Sequence, residues 1–465
     1  MRVPLPRVPA AKTTRHPNVA SGLAMLLFCT ALGACDASVH AGTADDSMTS
    51  RVNLDLNDEL TARLVDVYGS LDPLTLPSGG DLSKLPQSAL NPLTATKVEL
   101  GQLLYHETAM GQSSMSDAPE TFSCASCHFA SAGFQAGRVQ GLADGGSGFS
   151  PRMNMVGMDA DIQPIRTPSS MNTAFQDLML WNGQFGGGMG NDQFGNTDDD
   201  FVQLNAEGLP GLEVQAIKGL AVHRMGGGAE MVAQEFAQYD ALFRAAFGND
   251  GDVATRRNAG LAIAAFERTL VSDEAPFQQW LRGNPTAMSD QEMRGALVFF
   301  GDQASCSTCH SGPALSSMSF HSLGMADLDS SVEPSEGEIP EATRLGRGGF
   351  TNDPADDFKF KTPQLYNLAD SPFYGHGATF DTLQDLVAYK NAGVPQVANS
   401  NLAPEFQPLG LTDDQQADLV AFLETGLYDA DLARYEPQVL PSGNCFPVND
   451  AEARDDLGCD STGTP

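Results

Sequence analysis

Two copies of one short motif constrain this chain more than any other feature. The pattern Cys-x-x-Cys-His occurs at residues 124–128 and again at 306–310. Two thiols three residues apart on a helical turn can form thioether bonds with the two vinyl groups of one haem, and the adjacent histidine is then directed at the iron. The sequence therefore predicts two covalently bound haems c. Their thioethers would come from Cys124, Cys127, Cys306 and Cys309, and their iron ligands would be His128 and His310.

Two other kinds of site share the Cys-x-x-Cys spacing: a redox dithiol and a zinc site. Neither explains why a histidine follows both pairs, and a zinc site fits poorly with the exported chain inferred below. A further pair of cysteines, Cys445 and Cys459, lies in an acidic, turn-rich tail. In an oxidising compartment we expect these two residues to form a disulfide.

The N-terminus has the form of an export signal. Four basic side chains precede an apolar stretch at residues 20–34, which is too short to span a bilayer. The stretch ends in Leu-Gly-Ala-Cys, which predicts a lipoprotein signal peptide over residues 1–34 with lipidation at Cys35; ordinary secretory cleavage nearby is the alternative. A tether and an N-terminal helical segment would fill residues 35–94. We expect a periplasmic or cell-surface protein that meets the membrane only through its lipid anchor.

The charge balance excludes one large class of function. The 465 residues carry 26 basic and 59 acidic side chains, a formal net charge of −33. Such a surface repels phosphate backbones, so we expect no nucleic-acid partner. With 41% apolar residues the chain can build a sizeable core, and its 47 glycines and 28 prolines predict long loops.

Helical signals accompany both motifs. Ser289 with Glu292, and Thr412 with Gln415, have the spacing of helix N-terminal capping boxes. A weak internal repeat places Leu-Gly-Gln-Leu-Leu-Tyr before the first motif and Arg-Gly-Ala-Leu-Val-Phe before the second. We expect a mainly α fold of two cytochrome c-like domains, each with one covalent haem, long loops and little β-structure. The predicted bounds are 95–271 for the first haem domain, 272–435 for the second and 436–465 for the acidic tail.

A series of further motifs resembles the bacterial di-haem cytochrome c peroxidase family, which includes MauG-type enzymes. The similarity spans roughly residues 95–430 and follows the family's order. Besides the haem motifs, its landmarks are Thr-Pro-Ser-Ser-Met-Asn at 167–172, Leu-Trp-Asn-Gly at 180–183, Leu-Glu-Val-Gln-Ala at 212–216, Ala-Ala-Phe-Glu-Arg-Thr-Leu at 264–270, and Phe-Lys-Thr-Pro-Gln-Leu-Tyr-Asn at 360–367. The segment 389–391 is also similar to methanobactin- and copper-associated relatives in the MauG-like branch.

The resemblance implies an enzyme whose first haem meets hydrogen peroxide while the second passes electrons. Glu230 then matches the family's acid–base position and Gln215 its amide partner, although the stretch between them is several residues longer than usual. Trp181 matches the inter-haem tryptophan and would relay electrons. The structural alternatives are that Glu230 only stabilises the first turn of a helix and that Trp181 is a core residue.

Two departures from the family pattern concern the iron ligands. No histidine lies between His128 and His223, so the usual histidine that must leave the resting iron is absent from that stretch, and we expect a five-coordinate first haem. A methionine at position 153, 155 or 158 is the alternative ligand. At the second haem, where the family places Met or Tyr, ungapped counting puts Lys390 with Tyr389 beside it, and either is a possible sixth ligand.

The family's inter-domain calcium ion is doubtful here. Arg166 stands where an Asn ligand is expected, and Ser371 stands where a Thr is expected.

Three functions are compatible with these residues. The first is a peroxidase that reduces hydrogen peroxide with electrons from a small redox protein, supported by Glu230 and Gln215. The second is a MauG-like enzyme that uses peroxide to oxidise a side chain, such as Trp, of a partner protein; the missing histidine and the Lys390 substitution favour it. The third is a plain di-haem electron carrier, which needs neither Glu230 nor an open iron position.

Overall fold

The computed structural model describes residues 44–149, 154–155, 159–187, 191–193, 200–329 and 339–459. The predicted signal peptide, Cys35 and the tether up to residue 43 lie outside the described residues, as do Met153, Met158 and the side chain of Met155. Internal contacts divide the chain into Met1–Met48 and Thr49–Pro465, and the fold below is that of the second unit. Within the part described, we find no helix that combines the length and the apolar character needed to span a membrane.

Helices make up most of the regular structure, which confirms the predicted fold class at that level. Most are short and joined by long loops. The helices are α1 (Ala44–Tyr68), α2 (Ala95–His106), α3 (Asp200–Ala206), α4 (Gly211–Val222), α5 (Gly228–Glu235), α6 (Ala237–Phe247), α7 (Arg256–Glu267), α8 (Pro276–Leu281), α9 (Asp290–Phe300), α10 (Glu341–Arg344), α11 (Arg347–Thr351), α12 (Leu383–Ala392), α13 (Asp413–Ala421) and α14 (Ala451–Leu457).

The described β-structure is confined to two antiparallel pairs of two-residue strands. Strand β1 (Gly146–Ser147) pairs with β2 (Asn154–Met155), with Gly146 opposite Met155. Strand β3 (Phe320–His321) pairs with β4 (Phe360–Lys361), with Phe320 opposite Lys361. The expectation of little β-structure is therefore confirmed for the described residues.

Both predicted capping boxes are formed. The Ser289 hydroxyl accepts from the backbone of Glu292 at the start of α9, and the Glu292 carboxylate accepts from the backbone of Ser289 in return. Thr412 and Gln415 make the same exchange at the start of α13. Each exchange satisfies two backbone N–H groups that a helix start otherwise leaves unpaired, which fixes where these two helices begin.

The core consists of two hydrophobic clusters. The first includes α2, α4 and α7 together with Leu432, Leu440 and Phe446 from the end of the chain. The second includes α8, α9 and α13 together with Leu60 and Leu64 of α1. The first cluster surrounds the first Cys-x-x-Cys-His motif and the second lies beside the other motif. The domain boundaries drawn from the sequence stay a prediction.

The internal repeat has a structural meaning. At Gly101 of α2 an added Cβ would lie 1.9 Å from the Ala262 carbonyl oxygen of α7. At Gly295 of α9 it would lie 2.0 Å from the Asp418 carbonyl oxygen of α13. Both distances are far below van der Waals contact, so in each cluster a glycine lets two helix backbones touch. The repeated glycine thus brings a second helix against the one that precedes each motif.

The C-terminal tail is attached to the first motif. Cys445 and Cys459 form a disulfide, with their Cα atoms 6.1 Å apart. The Pro447 carbonyl accepts hydrogen bonds from the hydroxyls of Ser123, at 3.0 Å, and Ser126, at 2.9 Å. Both serines belong to the turn that carries the first cysteine pair. The tail therefore stabilises the first motif, a contact that the acidic composition of the tail did not suggest.

A buried histidine at the end of α2 predicts a loss of stability in acid. His106 is 1% exposed, and burial lowers its pKa to about 4. Its Nδ1 lies 2.8 Å from the Gln102 carbonyl oxygen. Between pH 6.5 and 4 the unfolded chain binds a proton at His106 and the folded chain does not. The contribution of His106 to the free energy of unfolding is therefore complete above pH 6.5 and decreases as the pH falls toward 4.

We therefore expect wild type to lose more stability than His106→Gln when the pH is lowered. The excess loss should be about 2 kcal/mol between pH 7 and pH 5, because each pKa unit corresponds to about 1.4 kcal/mol. Urea unfolding of both proteins at the two pH values measures it, and groups common to both proteins cancel in the comparison. Equal losses of stability in wild type and His106→Gln would show that His106 is already protonated in the folded protein at pH 5.

Candidate functional site

The second motif borders a cavity. Residues Cys306–Thr308 form a single 3₁₀ turn, and a cavity of about 350 Å³ lies against it. Both thiols of the motif are free. The walls are largely apolar, as a site that excludes water from a large planar ligand requires. They include Cys306, Cys309, His310, Phe299, Val387, Phe406, Leu419 and Leu423.

His310 is oriented by the backbone. Its Nδ1 lies 3.0 Å from the Leu315 carbonyl oxygen, so the Nδ1–H is used there and Nε2 is left to bind a metal. Burial lowers the pKa of His310 to about 4, which keeps the imidazole in the neutral form that ligates iron. Two free thiols, a fixed neutral imidazole and an apolar cavity together fit a covalently attached haem.

The two sequence candidates for the sixth ligand of the second haem are separated by the structure. Lys390 lines the cavity beside the second motif, and burial lowers the pKa of its amine to about 8. The Tyr389 hydroxyl is committed elsewhere, because it donates to the Leu323 carbonyl at 2.6 Å. Of the two side chains, Lys390 is the one placed to approach a group bound at His310.

The first motif repeats the arrangement of the second. Residues Cys124–Ser126 form a 3₁₀ turn, and Cys124 and Cys127 are free. The Nδ1 of His128 lies 3.2 Å from the Phe134 carbonyl oxygen, and burial lowers the pKa of His128 to about 4. Nε2 of this histidine is again the nitrogen left for iron.

Two features beside Cys127 fit a bound group. A Cβ added to Gly141 would lie 3.0 Å from the Cys127 sulfur, so a side chain at this position would crowd the thioether. The buried hydroxyl of Thr167, which borders the same glycine, lacks a hydrogen-bond partner within the described structure. Buried hydroxyls are normally paired, so this donor is available for an acceptor such as a haem propionate.

Gln215 and Glu230 lie on different helices. Gln215 is half-buried on α4, while Glu230 is exposed in the first turn of α5. The Glu230 Oε1 accepts a hydrogen bond from Gln234 Nε2 at 3.0 Å on the same helix. Within the residues described, no hydrogen bond joins Glu230 to Gln215. The carboxylate is thus accessible, with one intrahelical partner.

His223 caps the C-terminal end of α4, the helix that carries Gln215. An added Cβ at Gly219 would lie 3.3 Å from Gln215 Nε2 and 4.0 Å from the His223 ring. The His223 Nδ1 lies 2.7 Å from the Asp161 carboxylate, and the charge of His223 contributes to the low pKa of His128, which is mainly due to burial. Gln215, Gly219 and His223 are each four residues apart, so the sequence already placed them along one side of α4 and its C-terminal end. The contact with Asp161 joins distant parts of the chain.

Trp181 links the surroundings of the two motifs. Its indole Nε1 donates to the Arg166 carbonyl at 2.8 Å, and its ring lines the cavity of the second motif. Its own carbonyl accepts from the Lys361 N–H at 2.7 Å. The His376 ring packs edge-on against the indole, with centroids 6.3 Å apart. Trp181 is therefore held on several sides.

The position of the doubtful calcium ion contains a guanidinium group. Arg166 is buried, and its Nη2 donates to Gln135 Oε1 and to Ser371 Oγ. Burial lowers the pKa of Arg166 to about 10. The described residues include no group of three or more His, Cys, Asp or Glu side chains that could hold a metal ion.

Comparison with known proteins finds a matching family and several relatives of this chain. Residues 95–286 match the family described as di-haem cytochrome c peroxidase. A cytochrome-c peroxidase of Denitromonas iodatirespirans, IdrP1, is 29% identical over 371 residues, which cover 75% of this chain and 86% of that protein. The methylamine utilization protein MauG of Methylorubrum extorquens is 29% identical over 343 residues, which cover 73% and 81%.

Comparison with solved structures also finds a MauG-like protein with a similar fold. The crystal structure of a MauG-like protein associated with microbial copper homeostasis covers 77% of this chain and 95% of its own, with a TM-score of 0.56 and 25% identity. Residues 95–286 thus resemble the di-haem cytochrome c peroxidase family, and the relatives that cover about three quarters of the chain are named as a cytochrome-c peroxidase and as MauG.

Proposed function

We propose that this protein holds two covalent haems c and activates hydrogen peroxide at the first, with electrons passing through the second. The observation that carries the proposal is the shared arrangement of the two motifs, each with two free thiols and a histidine fixed through Nδ1. Bound haem iron would supply the redox chemistry that cleaves the O–O bond. The two haem domains would span residues 95–271 and 272–435.

Proton transfer at peroxide is assigned to Glu230 and Gln215. Cleavage of the O–O bond needs a proton removed from one oxygen and delivered to the other, and one carboxylate can do both. Glu230 is exposed, and its carboxylate accepts a hydrogen bond from Gln234 on its own helix. Gln215 would orient the peroxide through its side-chain amide.

Trp181 is proposed as the electron relay. Its fixed indole contacts Arg166 in the segment that follows the first motif and lines the cavity of the second. Lys390 is proposed as the sixth ligand of the second haem, because its amine reaches that cavity whereas the Tyr389 hydroxyl is bonded to Leu323. A nitrogen ligand would not raise the haem potential as a methionine thioether does.

A MauG-like oxidation of a partner protein is the second candidate function. The missing histidine between positions 128 and 223 favours it, since the first haem then needs no reduction to open a coordination position. The similarity to the MauG-like structure supports the same branch. Export with lipidation at Cys35 also belongs to the proposal, and the net charge of −33 suits a basic donor or target protein.

Peroxide consumption by the haem-loaded protein tests the proposed function. With a reduced small cytochrome as donor, we expect peroxide-dependent oxidation of the donor that falls as salt is added, because opposite charges guide the encounter. A His128→Gly variant, which removes the proposed ligand of the first haem, is expected to lose this activity. Full activity in that variant, or none in wild type with any donor, would contradict the peroxidase assignment.

A further inference from the structure

A buried carboxylic acid near the first motif has no role in the function proposed above. Glu267, the last residue of α7, is 5% exposed and lies among the apolar side chains of the first hydrophobic cluster. Its Oε2 has no hydrogen-bond partner within the described structure. Burial raises the pKa of Glu267 to about 8. An acid held in this way is costly to the fold, since a buried polar atom normally finds a partner.

One hydroxyl connects this acid to the proposed iron ligand. The Ser170 hydroxyl lies close to the Glu267 carboxyl group and partly offsets the rise in the pKa of Glu267 that burial causes. The same Ser170 oxygen lies 3.3 Å from His128 Nδ1. Tyr105 supports this arrangement, because its hydroxyl lies 3.5 Å from Ser170 Oγ and donates to the His128 carbonyl at 3.1 Å. Ser170 can therefore donate toward the ionised Glu267 carboxylate while it shares the Nδ1–H of His128 with the Phe134 carbonyl.

The second motif has no such connection. The Nδ1 of His310 meets backbone carbonyls, with Leu315 at 3.0 Å and Pro363 nearby. No carboxyl group is hydrogen-bonded to His310, directly or through a hydroxyl, among the contacts of the described residues. The hydrogen-bond partners of the two histidine Nδ1 atoms thus differ, although the two motifs have the same sequence pattern.

We propose that Glu267 is a positioning residue for His128 and acts through Ser170 to strengthen the donation of the imidazole to iron. This inference rests on the proposed haem attachment at the first motif. A carboxylate behind a ligating histidine draws its N–H proton outward and raises the basicity of the ligand, which favours ferric iron. No proton leaves its atom; only the polarity of the two hydrogen bonds changes. Glu267 thereby makes the two haems unequal.

The test uses the haem-loaded protein at pH 9, above the pKa of Glu267. The readouts are the iron–histidine stretching band of the reduced protein and the midpoint potential of each haem, and neither requires turnover. We expect Glu267→Gln and Ser170→Ala each to move the first-haem band to lower wavenumber and to raise the potential of that haem. The midpoint potential of the second haem serves as an internal control and should stay in place.

A matched control is available in the same cluster. Glu107 is also buried, but its carboxylate accepts from Tyr239 at 2.6 Å and from Ser442 at 2.7 Å, and it has no link to His128. Glu107→Gln should leave the first-haem band unchanged. Equal shifts in the Glu107 and Glu267 variants, or no shift in the Glu267 and Ser170 variants, would overturn the inference. These bands report on the inference even if the protein fails to react with peroxide.

Discussion

Replacing Glu230 with Gln is expected to slow the reaction of the protein with hydrogen peroxide by about two to four orders of magnitude. The substitution keeps the size of the side chain and its hydrogen bond to Gln234 within α5, but removes the group that takes up and returns a proton. Stopped-flow absorbance of the haem bands after mixing with peroxide measures the rate. Haem content should be unchanged, since Glu230 is exposed and its substitution leaves both Cys-x-x-Cys-His motifs intact.

His223→Gln is the matched comparison for Glu230→Gln. Both ring nitrogens of His223 have protein neighbours, with Asp161 2.7 Å from Nδ1 and Gln163 3.5 Å from Nε2. We therefore expect His223→Gln to slow the peroxide reaction by less than about tenfold, a smaller effect than loss of a general acid–base group gives. The reverse order of effects would remove Glu230 from the mechanism and move proton transfer to the His223–Asp161 pair.

Replacing Lys390 with Met should change the second haem more than any other single substitution near it. A thioether stabilises ferrous iron relative to a nitrogen ligand, so we expect the midpoint potential to rise by on the order of 0.1 V or more, within the range of about 0.8 V that axial ligands span. Spectroelectrochemical titration of the two haems measures the change. Lys390→Ala should convert the second haem to a high-spin spectrum by removing its sixth ligand.

Tyr389→Phe is the control for this pair of variants. The Tyr389 hydroxyl donates to the Leu323 carbonyl, so its removal should leave the spectrum and potential of the second haem in place. If Tyr389→Phe changes the spectrum while both Lys390 variants keep it, the phenolate is the ligand and Lys390 only lines the cavity.

Local signals made the helical framework predictable. The capping boxes at Ser289 and Thr412 depend on residues three positions apart, so the sequence alone locates the starts of α9 and α13. The short repeat around Gly101 and Gly295 was visible as well, but its meaning was not. Its glycines matter because another helix backbone lies within 2.0 Å of the Cβ each would carry, and only the fold supplies that partner.

Contacts between distant segments account for what the sequence could not provide. The pairing of His223 with Asp161 and the link from Glu267 through Ser170 to His128 join residues far apart in the chain. The proposal of Lys390 over Tyr389 depends on which side chain lines the cavity, and adjacent residues on a helix point in different directions. Motif position alone could not decide between them.

Mixing the diferric, haem-loaded protein with one equivalent of hydrogen peroxide, without a reductant, tests the proposed peroxide chemistry most directly. We predict an immediate change in the haem absorbance bands, because no histidine between positions 128 and 223 is available to block the first iron. A reaction that appears only after one-electron reduction would remove the MauG-like candidate and keep the peroxidase. Unchanged spectra both before and after reduction would contradict peroxide activation altogether and leave a di-haem electron carrier.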